Sequence, residues 1–273
     1  MSTLAAGTAS ARTAGTGQVT LLRTIASEWI KFRTLWSSVL VAAVSVVGMI
    51  AIGWVGSYFT NADWAHMRPR ELARFDPVVT SLNGYNMAEL AVGTLGVLLV
   101  TGEYSTGMIR ATMAAVPARL PVLWAKLTVY TGVTFVLMTA TSFLAFLGGQ
   151  FLLGSHSTSL SADGVLRVVV ATGIYLTLVG VLGVAFGALV RNTAGGIAAL
   201  FGVLLVLPVI VGVLPSTWQD QIGKYLPSNA GQAALTVKPD PAMLAPWTGM
   251  AVFAGYAVVA VVAAAVLLKR RDV

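Results

Sequence analysis

The chain has no cysteine among its 273 residues, which removes disulfides, thiolate metal sites and a cysteine nucleophile together. Charge is nearly as scarce: 10% of the residues are Asp, Glu, Lys or Arg, where a soluble domain carries about a quarter. The two histidines, His66 and His156, have no second histidine or carboxylate at ligand spacing, so no metal or catalytic site is expected at either. The phosphate loop G-x-x-x-x-G-K-[ST] is missing. The chain is therefore not expected to hold ATP in the usual way, and no enzymatic activity, cofactor or metal is assigned to it. Gly154-Ser-His-Ser157 lacks the G-x-S-x-G frame of a nucleophile elbow and reads as a turn.

What the chain has in plenty is apolar length, with 57% hydrophobic residues and a mean hydropathy of +0.83. A helix of about 20 apolar residues crosses the hydrocarbon core. Six segments qualify, at about Ser37 to Gly56, Leu82 to Thr101, Leu127 to Leu153, Val168 to Val190, Gly195 to Leu214 and Trp247 to Leu268. They lack the alternation of a transmembrane barrel, so the expected fold class is all-α, a polytopic membrane protein with six transmembrane helices. Residues 1–18 read as a disordered cytoplasmic tail and 19–273 as a single membrane domain, because no gap between apolar runs is long enough for a soluble one.

The net charge of +7 is spread beside the spans instead of forming a nucleic-acid-binding run. With both termini inside, the inner side receives 11 basic residues: Arg12, Arg23, Lys31, Arg33, Arg110, Arg119, Lys126, Arg191, Lys269, Arg270 and Arg271. The outer side receives Arg68, Arg70, Arg74, Arg167, Lys224 and Lys238, offset by Asp63, Glu71, Asp76, Asp163, Asp220 and Asp240. The positive-inside rule then places both termini in the cytoplasm.

Ahead of the first span, Leu22, Ile25, Trp29, Phe32 and Trp36 recur at helical spacing, with Arg23, Ser27, Lys31 and Thr34 on another side. That pattern predicts an interfacial helix, with Lys31 and Arg33 suited to an anionic inner leaflet. The outer loop from Pro215 to Pro246 contains five prolines and two stretches, Thr217 to Leu226 and Ser228 to Val237, that fit either short helices at or dipping into the interface or an ordinary loop.

Between the second and third spans, Thr101 to Arg119 is polar, helical in spacing and tipped by Glu103, Arg110 and Arg119. An amphipathic helix in this cytoplasmic loop suits a soluble partner: Glu103 would cap or orient its start, Gly107 would permit close backbone approach, and Arg110 would pair with Glu103 or with the partner. Glu89 lies inside the second span, where it is either a functional carboxylate or one satisfied by water or Asn86. Gly183 and Gly187 form a small-x-x-x-small pair suited to internal packing or, second, to a dimer seam. Pro208 should kink the fifth span and free a backbone carbonyl.

The run Glu103-Tyr-Ser-Thr-Gly-Met-Ile-Arg110 resembles the segment after the second span in permeases of the type-2 ABC exporter family, closest to the six-span actinobacterial kind. Glu28-Trp-Ile-Lys-Phe-Arg-Thr34, Asp76-Pro77 and Tyr225-Leu-Pro-Ser228 match in order and placement, so the resemblance covers about residue 20 to the end. It implies a cytoplasmic-membrane permease, identical or related permease and ATPase subunits as partners, and ATP and Mg held by the ATPase. It also implies an interfacial helix bearing Glu28, Trp29, Lys31 and Arg33, a coupling helix served by Glu103, Tyr104, Gly107, Arg110 and Arg119, and an export pathway near Glu89 and Pro208. It leaves the substrate open. The competing classes are a secondary transporter or channel, a membrane enzyme and a non-transporting scaffold; only Glu89 speaks for the first, and no converging catalytic residues speak for the second.

Overall fold

The computed structural model describes residues 20–116, 118–238 and 242–270. The tail expected over residues 1–18, with Arg12, and the positions of Asp240 and Arg271 lie outside them. Among the described residues every regular element is helical. In chain order these are α1 (Leu21–Thr34), α2 (Trp36–Ala62), α3 (Pro69–Leu72), α4 (Pro77–Leu82), α5 (Tyr85–Ser105) and α6 (Met108–Ala115). Then follow α7 (Leu120–Leu153), α8 (Val165–Val190), α9 (Thr193–Phe201), α10 (Leu207–Gly212), α11 (Ser216–Ile222), α12 (Pro227–Gln232) and α13 (Pro246–Arg270).

Six helical units are long and apolar enough to cross a bilayer: Trp36–Ala62, Pro77–Ser105, Leu120–His156, Val165–Val190, Thr193–Gly212 and Pro246–Arg270. The protein is a six-span helical membrane protein. Six crossings put α1, the α6 loop and the end of α13 on one face, here the α1 face. The third span begins seven residues before the expected Leu127, because Leu120 to Ala125 continue the apolar helix past Lys126.

The fourth span is the most enclosed, 78% buried against 17% for the first and 22% for the last. It packs on α5 through glycines. A Cβ on Gly183 would lie 2.3 Å from the Gly93 carbonyl oxygen, and one on Gly96 would lie 2.3 Å from that of Gly180. Gly183 and Gly187 therefore serve packing inside the chain, with no face left for a dimer seam. Tyr130 of α7 closes the trio by donating its buried hydroxyl to the Val92 carbonyl at 2.7 Å.

Two irregularities shape the other spans. Asp76 caps α4 by accepting from the Val78 and Val79 amides at 2.8 and 3.1 Å, and Pro77 takes the first-turn position, where its missing N–H costs nothing. In the fifth span Gly202–Val206 forms a π turn directly before Pro208. The wider turn accommodates the proline ring within the span, with the Leu207 amide reaching back to the Gly202 carbonyl.

On the opposite face the loop of the expected Ser228 to Val237 helix folds inward. Pro227, Ala230, Ala233, Ala234 and Leu235 are buried against α8 and α13, and Gly249 of α13 lets the Ala230 carbonyl approach. Arg167 fastens this segment by donating to the carbonyls of Ala234, Thr236 and Val237 at 2.9–3.1 Å. His66 and His156 stay in separate roles, His156 stacking on Trp64 at 3.6 Å.

Candidate functional site

Four charged side chains meet below the α1 face. Glu28 sits on the inward side of α1, 2% exposed, while Leu22, Trp29 and Trp36 on the opposite side are 45% exposed or more. The expected apolar stripe is thus split: Phe32 and Ile25 pack inward beside the Glu28 carboxylate, while Leu22 and Trp29 face away from the protein. Glu103 occupies the last turn of α5, 4% exposed, and Lys126 the second turn of α7, also 4% exposed. Lys126 Nζ donates to Glu28 Oε2 at 2.6 Å and to Glu103 Oε1 at 2.8 Å. Lys31 Nζ, from α1, donates to Glu28 Oε1 at 2.8 Å and to the same Glu103 oxygen at 2.9 Å.

Two carboxylates balance two ammoniums, and each ammonium touches both carboxylates. Burying a charge costs several kcal/mol, on the order that a close, hydrogen-bonded counter-charge is needed to offset, and this geometry supplies two to every ammonium. Burial acts to lower the pKa of Lys31, but its hydrogen bonds to Glu28 and Glu103, with their charges, outweigh this and hold it above the ordinary lysine value. The cluster ties the interfacial helix to the second and third spans. Lys31 also reaches Thr112 Oγ1 at 3.4 Å, a polar link to α6.

This placement corrects several expectations. Glu103 does not start the loop helix; it ends the second span, because Gly107 adopts a left-handed φ of 72° and breaks the chain direction two residues after α5. No neighbour lies within 4 Å of a Gly107 Cβ, so its glycine serves the turn and not a close approach. Arg110 does not pair with Glu103, whose Oε1 is taken by the lysines, and stands exposed on α6. Lys31 faces the cluster instead of an anionic leaflet, whereas Arg33 and Trp29 remain exposed. The helix itself covers only Met108–Ala115, and Arg119, with φ 55°, turns the chain into α7.

Tyr104 lies beside the cluster with the Arg191 guanidinium 5.3 Å from its ring centre, and Thr193 donates to Thr101 at 2.9 Å, so the end of the second span also grips the turn between the fourth and fifth. Two cavities flank Lys31. One of about 450 Å³ separates α1 from α6 and is lined by Arg23, Ser27, Thr112 and Val116. The other, about 320 Å³, lies between α1, the start of α2 and the end of α5, with Glu103 and Lys126 in its wall.

Lys126 is the member that the sequence reading placed among the topogenic cations. Its sequence signal is the apolar stretch on both sides, Leu120 to Ala125 and Leu127 onward, which marks a lysine inside a helix and not before one.

Glu89 and Pro208 lie apart from this site. Glu89 is 2% exposed with Oε1 unpartnered. Asn86 does not satisfy it, bonding instead to Asn83. Tyr85 and Tyr175 flank the carboxylate, and Gln232 of α12 reaches the Tyr175 hydroxyl at 3.5 Å. Among the described residues no group of His, Cys, Asp and Glu is arranged to hold a metal. No protein-family model matches the chain, and no curated protein matches it in sequence, so the residues themselves carry the functional argument.

Proposed function

We propose that this chain is the permease subunit of an ATP-driven exporter in a bacterial cytoplasmic membrane, of the type-2 ABC kind, with ATP and Mg held by separate ATPase subunits and a second permease completing the pathway. The observation that carries the reading is the buried cluster of Glu28, Lys31, Glu103 and Lys126 directly behind the projecting helix α6. A lever needs a stiff joint between the part that is pushed and the parts that move. α6 is a short charge-bearing helix that follows the second span through one glycine turn, and the cluster welds that span to α1 and to the third span. Force delivered to α6 by a partner would move them as one body.

The charge distribution supports a cytoplasmic α1 face: Arg33, Arg110, Lys269 and Arg270 are exposed there, while both described acids of that face, Glu28 and Glu103, are consumed inside. A single cysteine at the exposed Ser105, in a chain with no native cysteine, reports this directly. Labelling by an impermeant maleimide in intact cells would reverse the orientation. The functional test is purification in mild detergent with the proteins that accompany the chain, followed by reconstitution. Co-purification of a phosphate-loop ATPase and transport that needs ATP are expected.

The buried Oε1 of Glu89, left without a hydrogen-bond partner, favours a second reading, transport driven by an ion gradient without an ATPase. Gradient-driven flux in proteoliposomes containing this chain alone would establish that reading in place of the first.

A further inference from the structure

The two halves of the fifth span are held differently. The first half, α9, belongs to the body of the protein and packs on α5 and α8. Thr193 donates to Thr101 at 2.9 Å, a Cβ on Gly196 would lie 2.8 Å from a Val97 methyl, and the buried Leu200 fills the notch left by Gly93. Beyond the π turn the surroundings change. Leu205, Val206, Leu207, Val209, Ile210 and Val213 are exposed, and α10 packs chiefly on α11 and the turn at Gly223–Tyr225. Gln219 of α11 donates to the Gly212 and Leu214 carbonyls at 2.9 and 2.6 Å, which makes α10 and α11 one piece. Behind that piece lies a cavity of about 240 Å³ walled by Pro208, Val211, Asp220, Lys224 and Asn229.

The joint between the halves is weak for reasons written in its residues. The Leu207 amide bonds across the wide turn to the Gly202 carbonyl, and Pro208 has no amide with which to continue the ladder. Gly202 itself is about 1 kcal/mol poorer than alanine inside a helix. Past α11 the chain is fixed again, because Pro227 is buried and Arg167 holds the Ala234 and Thr236 carbonyls.

We infer that α10 and α11 form a lid on the face opposite α1, hinged at Gly202–Val206, that closes over this cavity while α9 stays fixed to α5 and α8. Helix bends concentrate at prolines and π turns, and Ser216 stands about ten residues past the joint, so a further bend of about 20° carries it through roughly 5 Å. Nothing in this depends on what drives transport.

The absence of native cysteine allows spin labels to be placed in pairs on the full chain in lipid nanodiscs, diluted with unlabelled chain so that each signal comes from one molecule. Val136, exposed on α7, is the fixed reference. Labels at Val136 and Ala198 should give one narrow distance, and labels at Val136 and Ser216 a broad or split distribution; Ala198 and Ser216 are both exposed. Gly202→Leu with Pro208→Leu restores a helix former and the missing amide, and a Cβ at Gly202 meets nothing within 4 Å, so the Val136–Ser216 distribution should collapse to one narrow distance. Pro208→Leu alone serves if the double variant fails to fold, as judged by melting temperature. Equal widths for the two wild-type pairs, whether narrow or broad, would mean that the fifth span moves as one piece. Breadth that survives in a folded hinge variant would place the motion elsewhere. Either result overturns the hinge, and the comparison of the wild-type pairs needs no variant of the joint.

Discussion

Lys126 and Glu28 stand 98 positions apart in the chain, yet their side chains meet at 2.6 Å in a space from which solvent is almost wholly excluded. The contact joins the helix ahead of the first span to the third span. Neither residue could be buried there alone, since an unpaired charge at that depth would cost more than the packing around it returns. The pairing therefore fixes where α1 rests, and with it the position of α6.

Removing one member of the cluster should be costly, and removing two opposite members should cost less than the two single losses added together. Glu28→Gln leaves Lys126 with one carboxylate instead of two, and Lys126→Met leaves two carboxylates sharing Lys31. Each single variant is expected to lose about 3–5 kcal/mol. The double variant should lose clearly less than their sum, because its two losses are the same contact counted twice. Unfolding in detergent measures this, and additive losses would show that the residues do not act on one another.

The raised pKa of Lys31 sets a direction for pH dependence. Its folded-state value lies above the ordinary 10.5, so the stability it contributes is complete below that value and is lost as pH rises through the folded one. Wild type and Lys31→Met should differ in melting temperature by a constant amount from neutral pH to about pH 10, and the difference should shrink above it. A gap that stays constant as pH rises through and beyond the lysine range would contradict the pairing.

The glycine seam between α5 and α8 should tolerate no side chain. Gly183→Leu places atoms against the Gly93 carbonyl and Gly96, and overpacking of a tight core costs about 1–3 kcal/mol or more. Gly132→Leu on α7, where a Cβ meets nothing within 4 Å, is the control and should express and melt as wild type. Comparable losses in both would point to a general intolerance of leucine and not to the seam.

Hydropathy made all six spans legible, because about 20 apolar residues in a row have few other stable uses. A helix ahead of the first span was legible from the spacing of Leu22, Ile25, Trp29 and Phe32, but not which side it buries: Phe32 packs inward while Leu22 and Trp29 stay exposed. The cluster was not legible. Glu28 and Glu103 could be singled out as acids on a basic side, but which cation each meets depends on how α1 folds back under α7, and no local pattern encodes that approach. Lys126 also looked like an anchor because it stands directly before the expected span at Leu127, where basic residues often flank the membrane, and only the added turns of α7 bury it. Glu103 was assigned to the wrong helix since its spacing fits both; the left-handed Gly107 decides between them, and a glycine's φ is not written in its neighbours.

Glu89 separates the two transport readings. Glu89→Gln preserves shape and removes ionisation, and the α5 core around it, Ala88, Val92 and Leu95, should hold the fold unchanged. If ATP drives transport and Glu89 only packs, flux in the reconstituted complex should remain within about twofold of wild type, the scatter of a near-neutral substitution. If an ion gradient drives transport, the variant should lose the flux while keeping its melting temperature.

The coupling role of α6 is tested by changing what a partner would touch without touching the cluster. Arg110 is exposed on α6 and lies outside the contacts of Glu28, Lys31, Glu103 and Lys126, so Arg110→Glu should fold as wild type, surface changes of this sort costing within about 0.5 kcal/mol. Reversing its charge should weaken capture of the ATPase or leave ATP hydrolysis unresponsive to transport. Gly107→Leu acts differently. With φ at 72° and open space around the Cβ, leucine clashes with nothing but forces the turn toward another conformation, so it should re-aim α6 while leaving the six spans intact. The partner would then bind and hydrolyse ATP at the wild-type rate with transport lost. Wild-type transport in both variants would remove α6 from the mechanism, and loss of the fold in Gly107→Leu alone would make the turn structural, leaving Arg110→Glu to decide whether α6 meets a partner.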